Sequence, residues 1–266
     1  MSSILETDRL TRRFGDLVAV DALTLAVEEG EVFGLLGRNG AGKSTLIKML
    51  TTLLPPSSGR ATIAGLDVAR DASSVRAIIG YVPQALSADG ELTGRENLQV
   101  FARLYDLPRA QRKARVDDGL AFMGLADAAD KRVQTYSGGM IRRLEIAQSM
   151  LHRPRLLFLD EPTVGLDPVA RDVVWEHLER LRADYGTTIV LTSHYMDEVE
   201  RLCGRVAVLR HGRVVAIGTE VELRAAVGQA DASLDEIFAH YTEDPAEDAG
   251  GYAETATTRR AAHRLG

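Results

Sequence analysis

Gly37-Arg38-Asn39-Gly40-Ala41-Gly42-Lys43-Ser44 restricts what this chain can become more than any other stretch. It fits the pattern G-x-x-x-x-G-K-[ST], and its flanks fit as well. The apolar run Val32-Phe33-Gly34-Leu35-Leu36 before it reads as a buried strand. From Lys43 to Leu54 the apolar spacing turns helical, until Pro55-Pro56-Ser57-Ser58-Gly59 stops it. Glycines let backbone N–H groups converge on a phosphate, and the helix N-terminus behind them adds a favourable dipole. Lys43 supplies a compact positive charge for the β- and γ-phosphates, and the Ser44 hydroxyl can ligate Mg²⁺. Only four of the 32 basic residues are lysine, so one at this position carries weight. The chain reads as a binder of a nucleoside triphosphate.

The rest of the sequence keeps to an alternation of strands and helices. Residues 4–30 alternate apolar and polar, as short strands around Phe14-Gly15-Asp16. Strand-like pieces return over 61–83, at Ala61–Ile63 and Ile78–Val82. Residues 93–129 are helical in period and broken by Pro108, and a helix follows Gly138-Gly139 with Ile141, Leu144, Ala147, Met150 and Leu151 on one face. Then come a strand at Leu156–Leu159, a helix at Val169–Tyr185, a strand at Thr188–Thr192, a helix at Met196–Cys203, and strands at Arg205–Arg210 and Arg213–Ala216. That order predicts a mostly parallel sheet with helices on both faces. The helix-only stretch, about 90–152, looks like an inserted subdomain.

Two further stations carry chemistry. Leu156-Leu157-Phe158-Leu159-Asp160-Glu161-Pro162 is an apolar strand ending in two acids. Asp160 can hold Mg²⁺ through water, which leaves Glu161 as a base for an attacking water. Tyr136-Ser137-Gly138-Gly139-Met140 opens a helix shortly before that strand. A Ser-Gly-Gly turn at a helix N-terminus is a second place for an anion.

Together these three stations, in this order, resemble the ATP-binding-cassette (ABC) ATPases, over roughly residues 4–242. The resemblance implies a P-loop NTPase (RecA-like) α/β fold with a mostly parallel sheet, an N-terminal antiparallel β subdomain and an inserted α-helical subdomain. It also assigns residues. Phe14, 23 positions before Gly37, matches the aromatic that stacks on adenine, and residues 37–44 with Thr45 match the ATP-phosphate loop. Gln84, after Tyr81-Val82-Pro83, matches the glutamine that reaches Mg²⁺ and the attacking water. His194, in Leu191-Thr192-Ser193-His194, matches the histidine at the γ-phosphate, and Asp167, in Gly165-Leu166-Asp167, matches a loop that crosses to a partner subunit. Tyr136 stands where the family has leucine, and Met140 where it has glutamine. The sequence Ser-Gly-Gly-Met is similar to the drug-exporter branch that includes anthracycline-resistance ATPases. The ending Ser233-Leu234-Asp235-Glu236-Ile237-Phe238-Ala239-His240-Tyr241-Thr242 is similar as well.

By resemblance, two chains face head to tail as a homodimer burying two ATP·Mg²⁺. Each ATP lies between one chain's Lys43 and the other's Ser137, Gly138 and Gly139. No apolar run approaches the ~18–20 residues of a spanning helix. A separate membrane permease is therefore expected as partner, with this chain cytoplasmic and peripheral on the inner face of the membrane. Residues 1–10 show no secretory leader, the single cysteine, Cys203, is expected to be a reduced half-buried thiol, and 243–266 is expected to be a disordered tail.

The net charge of −6 argues against a nucleic-acid partner. A soluble ABC protein acting on ribosomes or DNA would usually carry two cassettes or a long coiled-coil insertion. A GTPase would carry an Asn-Lys-x-Asp guanine reader, and the chain has no Asn-Lys pair. Import rather than export remains open to the nucleotide residues alone. Ala85-Leu86-Ser87-Ala88-Asp89-Gly90-Glu91, after Gln84, reads as a mobile surface loop or as a contact with the permease.

Overall fold

The computed structural model describes residues 2–228 and 232–242; the tail expected at 243–266 lies outside them. Strands β3 (Val32–Leu36), β7 (Leu156–Asp160) and β8 (Thr188–Ser193) are buried along their whole length. Strands covered on both faces are largely apolar, which is why Val32–Leu36, Leu156–Leu159 and Ile189–Leu191 read as hydrophobic runs. Asp160, Thr192 and Ser193 are polar, at the ends that reach the site. They form the centre of a six-stranded sheet of order β10-β9-β3-β8-β7-β6, with β6 at Ile79–Val82, β9 at Arg205–Arg210 and β10 at Arg213–Gly218. All its pairings are parallel except β9 with β10.

The second sheet is antiparallel, of order β2-β1-β4-β5. Here β1 (Ser3–Phe14) and β2 (Leu17–Glu28) are twelve-residue strands rather than short ones. Their register shifts near Arg9 and Ala22, both at positive φ, and these bulges break the apolar alternation that a long strand would show. Strands β4 (Ser58–Ile63) and β5 (Leu66–Asp67) complete the sheet.

Helix α1 (Lys43–Leu50) lies between the sheets. Its Leu46, Ile47, Met49 and Leu50 share one core with Leu5, Leu10 and Val20 of the small sheet and Phe33, Leu35 and Phe158 of the large one. On the opposite face of the large sheet, Leu157, Leu159, Ile189 and Leu191 pack with α3 (Gly94–Leu104), α4 (Arg109–Phe122), α5 (Gly138–Met150) and α6 (Pro168–Tyr185). A third core gathers α7 (Met196–Leu202), α8 (Glu220–Val227) and α9 (Leu234–Thr242) around β9.

Three elements depart from the sequence reading. Helix α2 (Ala72–Ile78) occupies a stretch read only as strand-like pieces. It buries one residue, Val75, so it has no apolar stripe to detect. Helix α8 went unread although Thr219 and Glu222 form a capping box at its start. Helix α5 is buried on its polar side too, where Arg142, Glu145, Gln148 and Ser149 are each no more than 2% exposed.

Candidate functional site

Parallel strands bring their carboxyl ends to one edge of the sheet, and that edge collects the predicted residues. Register pairs Leu36 with Ser193, Asp160 with Thr192 and Val82 with Leu159. The chain leaving β3 is therefore the phosphate loop, that leaving β6 carries Gln84, that leaving β7 carries Glu161, and that leaving β8 carries His194.

The loop's shape depends on glycine at two points. Gly42 sits at φ 103°, and a Cβ there would lie 2.4 Å from the Ala19 carbonyl oxygen. A Cβ on Gly37 would lie 2.7 Å from the Leu209 carbonyl oxygen. Gly42 caps α1 without any side-chain bond, so its first N–H groups have no side-chain acceptor at the cap. Lys43 folds back, donating from Nζ to the Gly37 carbonyl at 2.6 Å and the Arg38 carbonyl at 3.4 Å. Burial lowers its pKa, and the nearby Glu161 and Asp160 oppose that shift.

The acids lie beside it. Glu161 Oε1 is 4.0 Å from Lys43 Nζ, and its Oε2 accepts from Gln84 Nε2 at 2.9 Å. His194 Nδ1 is 3.6 Å from the same Oε2. The Ser44 hydroxyl donates to Asp160 Oδ1 at 3.3 Å. Glu161 takes φ 49°, a conformation that non-glycine residues rarely adopt. Its N–H is held at 2.9 Å by the Thr192 hydroxyl, which in turn donates to Asp160 Oδ1 at 2.7 Å. Thr192 thus fixes both acids, a task the sequence reading did not give it. Its place two residues before His194 was the available signal.

A cleft of about 330 Å³ joins the loop residues 38–45 to Phe14, Leu17, Ala19, Gln84 and Glu161. Phe14 is 44% exposed, and the Arg12 guanidinium covers its ring at 4.7 Å. Phe14 therefore lines the rim of the cleft and takes no part in the core. His194 lines the neighbouring cleft, on the far side of residues 37–41.

The Ser-Gly-Gly turn is elsewhere. Ser137 caps α5, accepting from the Met140 N–H at 3.3 Å, and Ser137 and Gly138 are exposed. No residue of 137–139 lines the phosphate-loop cleft. A Cβ on Gly139 would approach that of Ala170 to 2.9 Å, so glycine lets the starts of α5 and α6 meet. Asp167 caps α6, accepting from the Ala170 N–H at 2.9 Å, and is exposed beside them. Tyr136 is buried, donating from its hydroxyl to the Ala128 carbonyl at 2.7 Å, where Gly94 leaves it room. Met140 packs against the helical core.

The loop after Gln84 lies at the surface, with Ala85, Leu86, Ser87, Asp89 and Glu91 exposed, and side chains of two helices hold its amides. The Ala88 N–H donates to Glu145 at 3.3 Å, and the Asp89 N–H donates to Asn97 Oδ1 at 3.0 Å. Its one large apolar side chain, Leu86, is 53% exposed, and Glu91 is exposed as well.

This donor set suits ATP and Mg²⁺: a helix N-terminus with no side-chain cap for phosphate, Ser44, Asp160 and Gln84 for the metal, and a partly exposed aromatic ring at the rim for a base. Comparison with known proteins agrees. The ABC transporter family profile matches residues 20–164. The chain is 46% identical over 224 residues to the daunorubicin resistance ATP-binding protein DrrA3 of Streptomyces coeruleorubidus, covering 84% of this chain and 71% of that one. It is 44% identical over 221 residues to the Nod factor export ATP-binding protein I of Paraburkholderia xenovorans (strain LB400), covering 83% of this chain and 72% of that one. A solved ATP-binding subunit of an ABC transporter superposes with a TM-score of 0.81 at 32% identity, over 91% of this chain and all of that one.

Proposed function

The chain belongs to the ABC transporter family as an ATP-binding, ATP-hydrolysing member, and from that premise we propose that it powers export of hydrophobic, drug-like compounds through a separate membrane permease. The separation of its two anion stations carries the part of this reading that makes the working ATPase a pair of chains. The phosphate loop and the Ser137 turn open on different surfaces of one chain. Each is half of a site, and two chains arranged head to tail make two complete ones.

In each site the loop amides, Lys43 and Thr45 grip the phosphates, and Phe14 stacks on adenine. Ser44, Gln84 and Asp160 would hold Mg²⁺. When bound, the ion neutralises charge that develops on the β- and γ-phosphate oxygens. Glu161 takes a proton from the attacking water, while Gln84 and His194, which already touch its Oε2, orient that water and the γ-phosphate. The partner's Ser137 turn and Asp167 close the other side.

Removing the Phe14 ring tests the base pocket. Stacking of this kind is worth about 0.5–1.5 kcal/mol, so Phe14→Ala should weaken ATP binding roughly 2- to 12-fold in calorimetric titration. Phe14→Tyr should restore it. Equal affinity of the alanine variant would remove Phe14 from the site.

No helix among the described residues is long and apolar enough to cross a membrane. The relatives named for drug resistance and for export support outward transport, with the chain docked on the inner face of the membrane. Co-expression with a candidate membrane permease, in a drug-sensitive host, tests this. Cells should accumulate less of a fluorescent anthracycline, and Lys43→Ala should abolish the difference. Increased accumulation would make it an importer. No change in any hydrophobic drug or dye would refute the export reading.

A further inference from the structure

Helix α5 buries an ion pair that the reading above leaves without a task. Arg142 is 1% exposed and Glu145 2%, and they meet at 3.0 Å. Both turn toward the loop after β6. Arg142 donates from Nη1 to the Pro83 carbonyl at 2.7 Å and from Nη2 to the Gln84 carbonyl at 2.8 Å. Glu145 Oε1 accepts from the Ser87 N–H, from the Ser87 hydroxyl at 3.1 Å and from the Ala88 N–H at 3.3 Å. Five polar links thus tie residues 83–88 to one turn of α5.

Stability does not account for this arrangement. Desolvating two charges costs several kcal/mol, and apolar residues of similar size commonly replace such a pair without loss. The burial itself pulls the Arg142 pKa down, against the pull of Glu145. What the pair does uniquely is hold a backbone. Its two carbonyl acceptors belong to Gln84 and the residue before it, and the Gln84 side chain touches Glu161. Its helix begins at Ser137, five residues from Arg142, or about 7.5 Å of rigid helix.

We propose that Arg142 and Glu145 are positioning residues that clamp the Gln84 loop to the Ser137 helix, so that one rigid piece sets the metal side of one ATP site and the signature side of the other. The proposal rests on the roles given above to Gln84 and Ser137. A carbonyl fork needs guanidinium geometry, because lysine offers a single nitrogen that cannot hold both oxygens in plane. With the clamp intact, displacement of Gln84 in a chain's own site is carried to its Ser137 in the facing site.

Two variants of the full chain test it. Arg142→Lys keeps a cation for Glu145 but gives up the fork. Arg142→Met/Glu145→Leu removes both charges together and leaves no lone buried ion. Three quantities are read: ATP affinity without metal, the Mg²⁺ concentration that half-saturates hydrolysis, and the ATP concentration that dimerises each variant in a Glu161→Gln background by size exclusion with light scattering. Metal-free affinity should stay within about twofold of the parent. The Mg²⁺ requirement and the dimerising ATP concentration should both rise, by about tenfold in the double variant and about threefold in Arg142→Lys, the scale on which residues behind a metal site tune it. If the double variant does not fold, Arg142→Lys decides.

A folded variant with both quantities unchanged overturns the proposal. So does a rise in only one of them, because a clamp must move both sites. Loss of metal-free binding also overturns it, since the pair would then serve the fold alone. A parent that neither hydrolyses ATP nor dimerises as Glu161→Gln would instead strike at the site assignment itself.

Discussion

Glu161→Gln should bind ATP as the parent does and hydrolyse it slower by a factor on the order of 10²–10⁴. Glutamine has the same shape and reaches the same place, but it cannot take the proton of the attacking water. The site around it should persist, because its position is fixed by the backbone. The Glu161 N–H is held by Thr192, and φ 49° is set by the turn after β7 rather than by the carboxylate. Unable to cleave the γ-phosphate, the variant should remain a closed dimer with ATP, eluting early on size exclusion. A parental rate would show that another group is the base. The same experiment separates the two acids. Asp160 is only 3% exposed and already engaged by Thr192 and Ser44, so its replacement should disturb metal binding before it disturbs proton transfer.

The sequence was most legible where one residue type serves one physical need. Gly37 and Gly42 sit where any Cβ would strike a carbonyl oxygen, and their spacing announces that constraint directly. Strands β3, β7 and β8 are buried on both faces, so their composition reveals them. Asp160 ends one such strand, Glu161 and His194 follow two of them, and all three fall on one sheet edge. Legibility failed where a need is met by tertiary partners. Arg142 and Glu145, three apart on a helix with an apolar face opposite, look like a solvated pair. They are buried because the loop after Gln84 lies across them, a contact that links residues some 58 positions apart. The same fact hid the anchoring of Ala85–Glu91, a surface loop whose amides Glu145 and Asn97 hold. Helix α2, with one buried residue, gave no periodicity to read.

The shared site is the centre of this account, and mixing two inactive chains tests it most directly. Lys43→Ala removes the buried cation between the phosphate loop and Glu161. It should weaken ATP binding and lower turnover together, by the roughly 10²–10³ typical of a lost electrostatic group. Ser137→Arg places a bulky charge on the exposed start of α5 and should block the facing phosphate without touching its own loop. Alone, each variant spoils both sites of a homodimer. In a mixed dimer the wild-type loop of the Ser137→Arg chain faces the wild-type turn of the Lys43→Ala chain, so one site is whole. The ATPase rate of the mixture, with heterodimers verified by differential tagging, should rise far above that of either variant. Silence from a verified heterodimer would mean that each chain completes its own site, contrary to the account.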